Sequence, residues 1–153
     1  MTRELPAAAR ILADAVTDAV TAAGAGDAAA FAEATARLAA SDSERVRLVL
    51  GGAVGAVLED VYPDGPDPRD ALGQCVRWAA PWYPELDPGA LVVVLTGALG
   101  AQPGDTPAVT PSAVHAHGVL LLAHLLAGPP RPLAPYLGAA LAELARAETV
   151  EMP

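Results

Sequence analysis

Residues 110–130 read TPSAVHAHGVLLLAHLLAGPP, and the reading of that stretch decides the fold. It opens on Thr110-Pro111, closes on Gly128-Pro129-Pro130, and contains no formally charged side chain. A threonine followed by proline is a helix start. The hydroxyl accepts from an orphan first-turn N–H, and proline at the first helical position loses nothing because its N–H would be unpaired anyway. The helical part, residues 112–127, is shorter than the roughly 20 apolar residues that span a bilayer, and three histidines lie inside it. The stretch therefore predicts a buried core helix, and no membrane association is expected.

The same device recurs at Asp67-Pro68 and Asp87-Pro88, which predicts helices over 68–80, 88–100 and 111–127. Upstream, residues 5–23 place Leu5, Leu12, Val16, Ala19 and Val20 on one stripe, with Arg10, Asp14, Thr17, Asp18 and Thr21 on the other. That pattern is an amphipathic helix. Gly24-Ala25-Gly26 breaks it, and Asp27 can cap a second helix. Ser41 to Glu44 reads as a capping box ahead of a third helix with a core face of Val46, Val49, Leu50, Ala53, Val54, Val57, Leu58 and Val61. The other side of that helix holds Gly51, Gly52 and Gly55, each costing about 1 kcal/mol against alanine, so another helix backbone is expected to approach there. A last helix over 133–148 aligns Leu133, Leu137, Leu141 and Leu144. Short connections leave no linker that could split the chain. The expected fold is all-α, a bundle of about seven helices spanning residues 1–153 as one domain.

Composition agrees: alanine (36) and leucine (20) dominate the 153 residues, while isoleucine and phenylalanine occur once each, which favours helix formers over strand formers. Lysine is absent and only Ser41, Ser43 and Ser112 are serines. A lysine Schiff base, a P-loop lysine and a G-x-S-x-G elbow are thereby excluded. The formal charge of -9, with arginines scattered singly, excludes the clustered positive surface that binds nucleic acid. A single cysteine, Cys75, and an N-terminus without an apolar signal segment point to the cytoplasm. Residues 49–56, VLGGAVGA, echo residues 94–101, VLTGALGA, at a spacing of 45. In a chain this rich in small apolar residues the match reads as composition rather than as a helical repeat.

His115, His117 and His124 invite a metal reading, because histidine is the commonest metal ligand. On one helix, His117 and His124 share a face but stand about 10.5 Å apart along the axis, and His115 is about 200° round from His117. They cannot converge on one ion, so no metal and no cofactor are expected. Ser112 and His115 sit three apart, within reach of each other, yet Ser112 belongs to a first turn where a hydroxyl satisfies backbone donors. The acidic run from Glu59 to Asp70 lacks the EF-hand spacing and is accounted for by turn and cap chemistry. Cys75 reads as a buried thiol. No catalytic residue is assigned.

The most informative local feature is aromatic. Trp78, Trp82 and Tyr83 fall within six positions, between and beside Pro81 and Pro84, as a core plug with satisfied indole N–H groups or as a binding site. From Pro88 to Ala142 only Asp105 and Arg131 are charged, well below the quarter or so usual in globular chains. The expected function is a non-catalytic cytoplasmic interaction or accessory protein. Its expected partner is a second copy of itself, bound through residues 88–142, with Gly97 and Gly118 allowing close helix approach. Another protein or an apolar small molecule is the further partner class. The alternative is a small-molecule binder or small helical enzyme with a pocket at Trp78, Trp82 and Tyr83, using His117 or His124 as acid or base.

Overall fold

Five successive helices begin at a side-chain cap. Asp27, Asp42, Asp67, Asp87 and Thr110 accept from backbone N–H groups of the following turn at 3.0, 3.0, 3.0, 2.9 and 3.2 Å. The computed structural model describes residues 6–65, 67–100, 109–128 and 130–151. Among them are seven helices: α1 (Ala7–Gly24), α2 (Ala28–Ala39), α3 (Ser43–Val61), α4 (Pro68–Ala79), α5 (Pro88–Ala98), α6 (Pro111–Ala127) and α7 (Ala134–Glu151). The fold is all-α, and all three cap-plus-proline starts stand where the sequence put them. Leu5, Ala101, Asp105 and Pro129, used above, lie outside the described residues.

One cap differs. The third helix is capped by Asp42, not by a Ser41 to Glu44 box, and the Ser41 hydroxyl instead donates to the Arg37 carbonyl at 3.3 Å, closing the end of α2. A carboxylate adjoining the helix accepts more strongly than a hydroxyl one residue further out. Glu44 is thereby released to pair with Arg47 one turn on. The α1–α2 turn is a Schellman motif: Asp27 N–H donates to the Ala22 carbonyl and Gly26 N–H to that of Ala23, both at 3.0 Å. Gly26 supplies the left-handed conformation this requires, at φ +66°.

The apolar stretch finds its explanation at α6. This helix packs against α1, α2, α3, α4 and α5, and its residues from His115 to Ala123, with Leu125 and Leu126, are buried. A helix apolar all round is a helix surrounded. The α6 part of the apolar stretch from 88 to 142 is thus internal, whereas Val92 on α5 and Leu99 at its C-cap stay exposed; Gly118 serves close packing within the chain, since a Cβ there would lie 3.3 Å from Leu50 Cδ1. On α3, a Cβ at Gly52 would meet Ala140 of α7 at 3.5 Å and one at Gly55 would meet the Ala98 carbonyl of α5 at 3.2 Å. Those two glycines have the close approach that the sequence demands; Gly51 has none within 4 Å. One cluster of buried side chains draws on all seven helices. Surface pairs tie neighbours at its edge: Arg37 to Asp18 at 2.5 Å, Arg45 to Glu148 at 2.8 Å, and Tyr136 Oη donating to Asp60 at 2.7 Å. No helix among the described residues is long and apolar enough to cross a membrane.

Candidate functional site

The five residues singled out by sequence do meet. Trp78 lies 5.5 Å from His124 and 5.6 Å from Trp82 between ring centroids, and Tyr83 lies 5.9 Å from His117. Their hub is Phe31 of α2, edge-on to Trp82 at 5.5 Å and to Tyr83 at 5.3 Å. The sequence carried a signal for it, since the one phenylalanine is the largest apolar residue on the inner face of α2. The rings form a packed corner in edge-to-face contact, the geometry that aromatic quadrupoles favour. Beside it lies a shallow depression of about 250 Å³ bordered by Phe31, Tyr83, Glu85 and Ser112 among others. The Trp82 indole Nε1, expected to find a partner, is buried and has none among the described residues.

The histidines divide into different roles. His117 is tied at both ends: its Nδ1 is 2.7 Å from the Ala113 carbonyl, and its Nε2 accepts from the Asp87 N–H at 2.8 Å. That pair of bonds fixes the neutral Nδ1–H tautomer and anchors the start of α5 to α6. Burial pushes its pKa down, against smaller upward pulls from Ala113 and Asp87. Burial lowers His124 as well, where the ring lies tilted by 42° against Trp78. His115 does not pair with Ser112; its Nε2 is 3.4 Å from Ser43 Oγ, a long and weak contact, and its Nδ1 is buried without a partner among the described residues. Burial lowers its pKa too, with Ser43 opposing. Among the described residues no three of His, Cys, Asp and Glu gather in a group that could hold a metal ion. The Cys75 thiol is fully buried and its pKa is pushed up to about 12 by that burial, so at neutral pH it is not a thiolate nucleophile.

A larger recess lies elsewhere. A cleft of about 730 Å³ opens between α3, α5 and α6, walled by Arg47, Leu48, Leu50, Gly51 and Gly52 on α3, by Val93, Val94, Thr96, Gly97 and Ala98 of α5, by Val109, and by Val114, His115 and Gly118 on α6. Sequence reading weighed most of these residues singly and missed their meeting. The two echoing segments contribute to the cleft in part, the first through Leu50, Gly51 and Gly52 and the second through Val94, Thr96, Gly97 and Ala98. Its polarity is graded along α3. Arg47 stands one turn beyond Ser43, the residue that touches His115, so arginine, serine and histidine cluster at the N-terminal end of the helix. One turn further, the walls are Gly51, Gly52, Val93, Val94, Gly97 and Ala98. Arg47 is the one charged residue on the lining among the described residues, and it is held by Glu44 in an exposed pair that raises its pKa and lowers that of Glu44.

Gly51 and Gly97 share a property there. A Cβ on either would meet nothing within 4 Å, and neither has positive φ. Each weakens its helix by about 1 kcal/mol relative to alanine without a contact in return, and both open onto the cleft. No protein-family model matches the chain, and neither the curated proteins nor the solved structures provide a significant match.

Proposed function

We propose that the protein is a non-catalytic binding protein that takes a small apolar molecule in the cleft between α3, α5 and α6. The observation that carries this reading is the cleft itself, about 730 Å³ with mainly apolar walls, within the 300–1,000 Å³ or so typical of small-molecule sites. Its dimensions favour a small molecule over a docked helix. The walls run for six residues on α3 and six on α5, about 7.5 Å along each axis, whereas a helix in a groove needs anchors about 10.5 Å apart at i and i+7. The aromatic corner at Trp78, Trp82 and Tyr83 serves as packing in this reading, with His117 as its strut.

The test uses the uncharged fluorescent probe N-phenyl-1-naphthylamine. Saturable binding at one equivalent per chain is expected, and it is expected to vanish in Gly51→Leu/Gly97→Leu, which fills the cleft from two positions with free space. The single Gly97→Leu variant guards against a folding defect. Absence of binding, or equal binding by the filled variants with native unfolding midpoints, would overturn the reading.

A second reading, a homodimer, is favoured by one observation. Val92 and Leu99 are each 42% exposed and Leu48 is 44% exposed. Val92, Thr96 and Leu99 share one stripe of α5, and Thr96 and Leu48 line the cleft. An isologous pairing of this stripe would cover the mouth of the cleft. The compartment proposed for either reading is the cytoplasm.

A further inference from the structure

We propose that the cleft selects amphipathic carboxylates, with the apolar body over Gly51 and Gly97 and the carboxylate at Arg47 and His115. This rests on the small-molecule reading above and adds the chemistry of the ligand. Three independent features carry it: the arginine, serine and histidine gathered at one end of otherwise mainly apolar walls, the sign of the one charge on the described lining, and the unused hydrogen-bonding capacity of His115.

A chain of net charge -9 repels anions in general. Among the described residues that line the cleft, however, the one charged side chain is a cation, and its guanidinium can meet a carboxylate with two parallel bonds. Glu44 already occupies that fork. The pair is solvent-exposed on both sides, 58% for Arg47 and 64% for Glu44, and exposed pairs exchange at little cost. An incoming carboxylate therefore competes with Glu44 for Arg47, while its tail gains the apolar contact that Glu44 cannot make.

His115 supplies the second point of recognition. It is 4% exposed, it is one of the residues lining the cleft, and its buried Nδ1 has no partner among the described residues, which is a costly state for a polar group. Its one hydrogen-bond contact among the described residues is the 3.4 Å approach to Ser43, and carboxylate binding requires the ring to turn about its Cβ–Cγ bond so that Nδ1 meets the ligand. A serine hydroxyl both donates and accepts. With Ser43 donating to Nε2, the imidazole carries its proton on Nδ1 and donates it to the ligand oxygen. His117, with both nitrogens committed to Ala113 and Asp87, has no such freedom.

The experiment is displacement of N-phenyl-1-naphthylamine at pH 7.5 by octanoate and by 1-octanol, which share a tail and differ at the head. Octanoate is expected to compete at least about tenfold more tightly, as one charge-assisted hydrogen bond predicts. Arg47→Gln should remove that advantage without changing competition by 1-octanol. Glu44→Gln should tighten octanoate severalfold, an effect opposite in sign to any loss of structure. His115→Leu should weaken octanoate and not 1-octanol. If the probe binds but the two competitors are equal, or Arg47→Gln leaves octanoate unchanged, the carboxylate assignment is wrong while the small-molecule reading stands. If the probe itself does not bind, both fall.

Discussion

At the residue scale, His117 couples protonation to stability. Its Nε2 must be unprotonated to accept from Asp87 N–H, so the imidazolium would set two donors against each other inside the core. Burial lowers the folded-state pKa of His115, His117 and His124. A histidine with a depressed folded pKa binds its proton more readily in the unfolded chain. Its neutral form contributes full stability above the unfolded value of about 6.5, and that contribution is lost as pH falls from there through the folded pKa. Urea midpoints are therefore expected to drop between pH 7.5 and pH 5. In His117→Gln, whose side-chain carbonyl can still accept from Asp87, the drop should be shallower. A slope unchanged by that substitution would place the proton linkage elsewhere.

At the element scale, the glycines of α3 and α5 separate into packing and cleft positions. Gly51→Ala and Gly97→Ala each replace an unsupported helical glycine and add a methyl into open space, so each should raise stability by about 1 kcal/mol. Gly55→Ala has the same propensity gain but directs its Cβ to within 3.2 Å of the Ala98 carbonyl. Backbone cannot yield as a flexible side chain can, and a net loss of about 1 kcal/mol or more is expected from overpacking. Denaturant melts of the three variants decide it, and a gain at Gly55 would mean that α3 and α5 pack more loosely than described.

At the scale of the whole molecule, the decisive fact is that α6 is enclosed by its own chain. Leu121→Asp would bury an unpaired charge at a position with no exposure and is expected to prevent stable folding, since such charges cost about 3–5 kcal/mol when left unpaired. Val92→Asp, on the open stripe of α5, should change monomer stability by no more than about 0.5 kcal/mol. If the homodimer reading holds, it should convert a dimer to a monomer in light scattering. A wild-type chain that is monomeric at micromolar concentration would remove that reading and leave the cleft as the binding face.

The sequence by itself determined the helices. Caps at Asp27, Asp67, Asp87 and Thr110, prolines at 68, 88 and 111, and the 3.6-residue period of α1 and α3 are local signals, because a cap bonds within three residues and a stripe repeats within two turns. It also brought forward Trp78, Trp82, Tyr83, His117 and His124, whose bulk and chemistry mark them whatever their neighbours. What it could not weigh was enclosure. An uncharged helix reads the same whether its apolar faces meet a second chain or five helices of its own, because burial depends on contacts between distant segments. Only the tertiary structure placed α6 at the centre, turned His115 from Ser112 to Ser43, and set residues 47–52 opposite 93–98. Gly51 and Gly97 leave the cleft between two walls distant in sequence unobstructed, and the space between walls belongs to neither segment alone.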